Sequence, residues 1–207
     1  MILSLAALVA VALPDHPAHA RAAGGGRAAG RPCGPRAAAT LAADAVARVY
    51  SVGGNVFGCV AGASRSIELG TTGFSVRAGR VDLVRVSGTV AAYGLVRSGV
   101  DTASATVVVR RLTTGRVLAQ RAATTREGVE GFQSVDGVVV KADGAVAWIA
   151  TANSIGPPKF VRQVRRMDAR GTVTLDWGPA VAAGSLALSG SALRWRHGGL
   201  LRRSTLR

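Results

Sequence analysis

A short phrase recurs four times along this chain, and it confines the chain to one kind of local structure. Gly53-Gly54-Asn55-Val56-Phe57, Ser87-Gly88-Thr89-Val90-Ala91, Asp143-Gly144-Ala145-Val146-Ala147 and Ser189-Gly190-Ser191-Ala192-Leu193 each place a tight-turn pair before an apolar stretch. Glycine supplies the positive φ that two-residue hairpin turns require, and β-branched and aromatic neighbours suit a pleated strand. Three copies run on to an aromatic, Tyr93, Trp148 and Trp195. The four turns lie 34, 56 and 46 residues apart. The phrase sets an architecture of β-hairpins; it names no reaction.

From Thr40 onward, Val, Leu, Ile and Thr alternate with Arg and Ser, the two-residue rhythm of antiparallel strands. Val81 to Val86 is expected to turn at Ser87-Gly88 and return through Val96, and Val107 to Leu112 to turn at Thr114-Gly115 into Val117 to Gln120. A second set runs Gly137 to Lys141, Val146 to Ala150, Val161 to Met167 and Val173 to Asp176. Arg110-Arg111-Leu112 in the first set corresponds to Arg165-Arg166-Met167 in the second. Leu186 to Leu188 and Ala192 to Trp195 open a further set, which ends at Arg203 to Leu206. Helical character is confined to the Ala-rich stretch Ala37 to Ala47, expected to form a turn or two.

Four strands joined by tight turns and repeated end to end form the unit of a β-propeller blade. The expected fold is all-β: antiparallel four-stranded blade-like repeats in a small or partial β-propeller, with a β-sandwich as the alternative. Two complete blades and two partial ones fit after Thr40. They can close as a ring, with Arg48 to Val52 pairing against Arg203 to Leu206, or stay an open arc, or finish through a second copy. The ending Leu186-Ala187-Leu188-Ser189-Gly190-Ser191-Ala192-Leu193-Arg194-Trp195, with a Cys-containing start and a chain of hairpins, resembles the propeller-blade-like proteins exported by actinobacteria. That group has no agreed activity, so the resemblance implies a fold and export, not a reaction.

Residues 1–20 read as a secretory signal. Ile2 to Leu13 is an apolar run too short to cross a bilayer as a helix, which needs about 20 residues. Ala18-His19-Ala20 then gives a small-x-small cleavage site after Ala20. No later segment is apolar enough to span a membrane, so the expected location is secreted, outside the cytoplasm. Residues 21–36, rich in Ala, Gly, Arg and Pro, are expected to be flexible because they bury too little to offset ordering entropy. Residues 37–207 are expected to form a single β-repeat domain. Cys33 and Cys59, the two cysteines, are expected to form a disulfide in an exported chain.

The net charge is +15, and 24 of the 26 basic residues are Arg. An Arg-rich surface attracts polyanions in a salt-dependent way, although the bias toward Arg, Ala, Gly and Val also fits a GC-rich genome. Reactive sets are scarce. After Ala20 the chain has one His, His197, which leaves no zinc cluster and no local Ser-His-Asp set. Gly62-Ala63-Ser64-Arg65-Ser66 lacks the closing glycine of a nucleophile elbow. Glu127, Glu130 and Asp136 are the densest acids and read as a solvated loop in preference to a calcium site.

Arg194, Trp195, Arg196 and His197 form the candidate ligand patch, with half of it expected to face the core by strand alternation. Tyr93, Trp148 and Trp195 are expected to pack between blades. The leading expectation is a non-catalytic exported binding module, with no metal and no cofactor, whose partner is a protein or a cell-wall polymer. The alternatives are a binder of extracellular polyanions and a small carboxylate-dependent glycosidase or lyase.

Overall fold

The computed structural model describes residues 33–73, 79–125, 131–153 and 160–207. Residues 1–32, which include the expected signal segment, and Glu127 and Glu130 lie outside them. Every regular element among the described residues is a β-strand. Strands β1 (Ala39–Ala43), β2 (Ala47–Val52), β3 (Asn55–Val60) and β4 (Ile67–Thr71) form an antiparallel meander. A second meander comprises β5 (Arg80–Ser87), β6 (Val90–Ser98), β7 (Ala103–Arg111) and β8 (Val117–Ala122). One parallel pair, Thr71 with Arg80, links the two into an eight-stranded sheet. Four strands make the next antiparallel sheet: β9 (Gln133–Val140), β10 (Val146–Asn153), β11 (Phe160–Asp168) and β12 (Gly171–Gly178). The last sheet has three strands, β13 (Ala187–Ser189), β14 (Ala192–His197) and β15 (Leu200–Thr205).

Three cores join these layers face to face. One lies between β1–β4 and β5–β8, the next between β5–β8 and β9–β12, and the third between β9–β12 and β13–β15. The middle strands serve two cores at once. In β6, Ala91, Tyr93 and Leu95 enter the first core while Val90, Ala92 and Val96 enter the second. In β10, Val146, Trp148 and Ala150 enter the second core while Ala147 and Ile149 enter the third. A strand covered on both sides has no use for polar residues, so both read as continuous apolar runs.

The second strand of each layer carries one buried aromatic: Tyr50, Tyr93, Trp148 and Trp195. Each also has a partner for its polar end, as buried Tyr and Trp require. Tyr50 Oη donates to Ser66 Oγ at 2.8 Å, Trp148 Nε1 to the Ala123 carbonyl at 2.7 Å, and Trp195 Nε1 to Asp176 Oδ2 at 2.7 Å. The Arg110 side chain donates to Tyr93. Arg165, matched to Arg110 in the sequence, lies 5.4 Å from the Trp148 ring centre.

Sheet pairing also shows recurrent bulges, each of which inserts an unpaired residue and bends the strand. Leu69, Leu118 and Leu175 are the extra residues in β4, β8 and β12. In the first strands the irregularity falls at Leu41, at Asp82-Leu83 and at Asp136.

Three expectations are corrected. Ala37 to Ala47 holds no helix: it contains β1 and a turn in which Asp44 Oδ1 accepts the N–H groups of Val46 and Ala47 at 2.7 and 2.8 Å. Asp44 Oδ2 also accepts from Gly88 N–H at 2.7 Å, so a contact to the next layer overrides alanine's weak helical preference. Second, Gly53-Gly54 is not equivalent to the other three turns. It joins β2 to β3, whereas Ser87-Gly88, Asp143-Gly144 and Ser189-Gly190 join the first strand of a set to the second. Third, Arg48 to Val52 does not pair with Arg203 to Leu206; β2 lies between β1 and β3.

The outer face of the first layer is covered by the Cys33–Ala38 segment. The disulfide Cys33–Cys59 joins that segment to β3, with a Cα–Cα distance of 5.8 Å, and packs beside Tyr50 and Phe57. Arg48 clasps it from the other side, donating to the carbonyls of Cys33, Pro35 and Ala38.

Layer spacing is tight where β6 crosses β9. A Cβ at Gly94 would lie 2.7 Å from Val135 Cβ, inside any tolerable contact. Gly94→Ala is therefore expected to cost about 1–3 kcal/mol through forced separation of the layers, read as a lower denaturation midpoint at unchanged m-value.

Candidate functional site

Alternation along β14 divides the four residues of the sequence patch. Leu193 and Trp195 face the third core, and His197 follows them toward β12. Arg194 and Arg196 take the opposite, exposed face. Trp195 is 4% exposed, so its ring packs between layers and offers no stacking platform.

The inward half converges on Asp176, near the end of β12. Its carboxylate accepts from Trp195 Nε1 at 2.7 Å and from the Trp177 N–H at 2.8 Å, and lies 2.9 Å from His197 Nδ1. Burial alone would raise the Asp176 pKa, but the Trp195, His197 and Trp177 hydrogen bonds outweigh it and hold the carboxyl below its ordinary value. A hollow of about 280 Å³ beside this cluster is lined by Leu175, Asp176, Trp195, Arg202, Arg203 and Ser204.

This is not a nucleophile-base-acid set. Ser204 pairs with Leu193, four positions along β14 from His197, which places it roughly 13 Å away along the strand. The Asp176 cluster instead fastens the last sheet to β12.

The outward half of the patch belongs to an open, cationic surface. Arg194 pairs across the ladder with Arg203, and Arg196 with Leu201. Arg196 is tied to the Gly199 carbonyl at 3.1 Å. Among the described residues the side chains of Arg194 and Arg203 make no hydrogen bond or ion pair; nor does that of Arg202, which lies opposite Trp195 and so on the other face of the sheet. Among the described residues, no segment lies over this face as Cys33–Ala38 lies over the other end.

A second cluster, missed in the sequence, joins β5 to β9. The bulges there turn Asp82 and Asp136 toward the same junction. Arg80 Nη2 lies 2.8 Å from Asp82 Oδ1, and the Val135 N–H also bonds to Asp82. Asp136 accepts from Ser134 Oγ at 2.8 Å and from Thr151 Oγ1, with Arg162 Nε 3.7 Å away. Burial pushes the Asp82 pKa up, opposed by Arg80 and the Val135 N–H and reinforced by the charge of Asp136. No local pattern marks a bulge, so nothing in the sequence paired these two acids.

The two carboxylates should titrate on opposite sides of the ordinary value of 3.8. The raised Asp82 stabilises the fold fully below that value and loses its contribution as pH rises through its folded pKa. The lowered Asp176 contributes above that value and is lost as pH falls through its folded pKa. Carboxyl carbon NMR titration is expected to show Asp82 protonating first as the solution is acidified.

The acids at the two turns of the β9–β12 sheet have structural roles. The side chain of Asp168 is fully buried; it accepts from Arg166, Arg170 and the Arg207 N–H, fixing the end of β11 to the chain after β15. Asp143 pairs with Lys141 at 3.0 Å in its turn. Ser64 and Ser66 lie in the loop between β3 and β4, away from any helix. Among the described residues, no three His, Cys, Asp or Glu gather as a metal site, and no helix is long and apolar enough to cross a membrane.

The fold and site define an all-β protein of packed antiparallel sheets with one disulfide. No family model, curated protein or solved structure matches it.

Proposed function

We propose that the chain is an exported, non-catalytic β-repeat protein whose last sheet binds anionic partners. The layers are read as blade-like units in an open arc: each has a buried aromatic, Tyr or Trp, on its second strand, and the extra leucine recurs in β4, β8 and β12. Face-to-face packing alone would also suit a sandwich; the recurrence favours blades. Export is supported by the apolar leader and by a disulfide of the kind that persists in oxidising compartments.

The observation that carries the binding role is the pair Arg194 and Arg203, opposite each other on one face of the terminal sheet, with Arg202 on the reverse face, three guanidinium groups without side-chain partners among the described residues. Arginine left unpaired in water is poised for bidentate recognition of carboxylate or phosphate. Polyphosphate is expected to bind the purified protein, with affinity falling at least about tenfold between 50 and 200 mM salt. Combined Arg194→Gln, Arg202→Gln and Arg203→Gln should abolish that binding. Binding that ignores both salt and these substitutions would remove the reading.

The carboxylate-hydrolase alternative draws on Asp82 and Asp136. Both acids are already engaged, Asp82 by Arg80 and the Val135 N–H, Asp136 by Ser134 and Thr151. Turnover of chromogenic glycosides that disappears in Asp82→Asn would favour it instead.

A further inference from the structure

We infer that β15 is a docking edge for an extended acidic polypeptide strand, which would complete the last sheet. The inference rests on the anionic-partner reading and names the partner's chemistry. In the three preceding sets the third strand, β3, β7 or β11, is paired on both sides. In the last set the third strand, β15, is paired only with β14 among the described residues.

Alternation of the ladder identifies the open groups. His197 and Leu200 close a two-residue turn whose glycines, Gly198 and Gly199, have φ of 57° and 79°, so this pair is hydrogen-bonded. The bonded pairs then continue at Trp195 with Arg202 and at Leu193 with Ser204. That leaves the N–H and C=O of Leu201 and Arg203 pointing away from β14. The complementary prediction for β14 holds: the Arg196 carbonyl points away from β15 and accepts from Ala182 N–H at 3.0 Å. Two residues with outward donors and acceptors, spaced by one, are the template that strand addition uses.

Charge selects the occupant. The edge presents Arg203 and Arg202, with Arg194 directly across the ladder from Arg203. A second copy pairing antiparallel through β15 would bring like charges together, and like charges directly opposite destabilise a sheet. No two of the chain's 11 acids lie closer than three positions apart, so no segment of this sequence carries acids at alternate positions. An extended segment with Asp or Glu at alternate positions satisfies the ladder and sets its acids on the face of Arg194 and Arg203. Leu200, 65% exposed on the opposite face, would be covered by its aliphatic positions.

The test uses the full chain with its disulfide intact and three synthetic peptides. These are an alternating Glu–Val peptide, its Lys–Val counterpart, and the Glu–Val peptide methylated at alternate backbone nitrogens. The acidic peptide is expected to bind at least about tenfold more tightly than the methylated one, which has equal charge but cannot form the ladder. It should slow hydrogen exchange at the Leu201 and Arg203 amides, and Arg203→Glu should weaken it at least about tenfold. Equal binding of the methylated peptide, binding of the lysine peptide, or self-association through β15 overturns the inference. So does protection of those two amides in the free chain. If polyphosphate binds and the acidic peptide shows no advantage over its methylated form, the strand inference alone fails; if neither anion binds, the anionic-partner reading fails with it.

Discussion

Trp148→Ala is expected to destabilise the protein by about 3–5 kcal/mol, a large fraction of the total for a domain of this kind. Trp148 is fully buried in the core between the second and third layers. Its removal leaves a cavity that neighbours such as Ala92, Ala105 and Val138 are too small or too constrained to fill. It also strands the Ala123 carbonyl, which accepts the indole N–H at 2.7 Å, and removes the ring beside Arg165. Trp148→Phe separates the terms: it keeps much of the packing and forfeits the hydrogen bond, for a smaller loss of about 1–3 kcal/mol. Guanidinium unfolding of both variants checks the order. Equal stability of Trp148→Ala and the native chain would mean that the second core does not hold the layers together.

Reduction of the Cys33–Cys59 bond is expected to cost about 3–4 kcal/mol in the chain-entropy model, given its sequence separation of 26. The effect should be concentrated at one end of the molecule. Cys33 anchors the segment that covers Tyr50, Phe57 and Cys59, so release exposes that face and frees the carbonyls held by Arg48. Thermal unfolding with and without reductant measures the loss, and Tyr50 supplies a local probe, because its hydroxyl bond to Ser66 lies beneath the segment. A Cys33→Ala, Cys59→Ala double variant should match the reduced protein. Unchanged melting would show that packing and Arg48 alone keep the cover in place.

The strand content was legible in the sequence because turn chemistry is local. Ser87-Gly88 and Ser189-Gly190 carry glycine φ values of 57°, and Asp143-Gly144 has φ 101°. The aromatics Tyr93, Trp148 and Trp195 were legible too, but Tyr50 was not. The first set turns at Asp44 without glycine, which shifted attention to Gly53-Gly54 one hairpin later. Alanine's weak helical preference misled at Ala37 to Ala47, where Asp44 reaches across to Gly88 and fixes a hairpin. The candidate site was half legible for a physical reason. Strand alternation divides Arg194 and Arg196 from Trp195 and His197, but Asp176, on another sheet, has no signature in the chain near them. The Asp82–Asp136 junction depends on two bulges, and bulges arise from pairing, not from composition.

Arg194, Arg202 and Arg203 matter functionally only if the terminal sheet is held by a rigid stack beneath it. That stack depends on β6 and β10 each belonging to two cores. Residue-resolved hydrogen exchange of the native chain tests this directly. Amides of β6 and β10 are expected to be the slowest in the molecule and to exchange only with global unfolding. If they instead exchange through local opening as readily as β13–β15, the layers are not stacked on those two strands and the account is wrong.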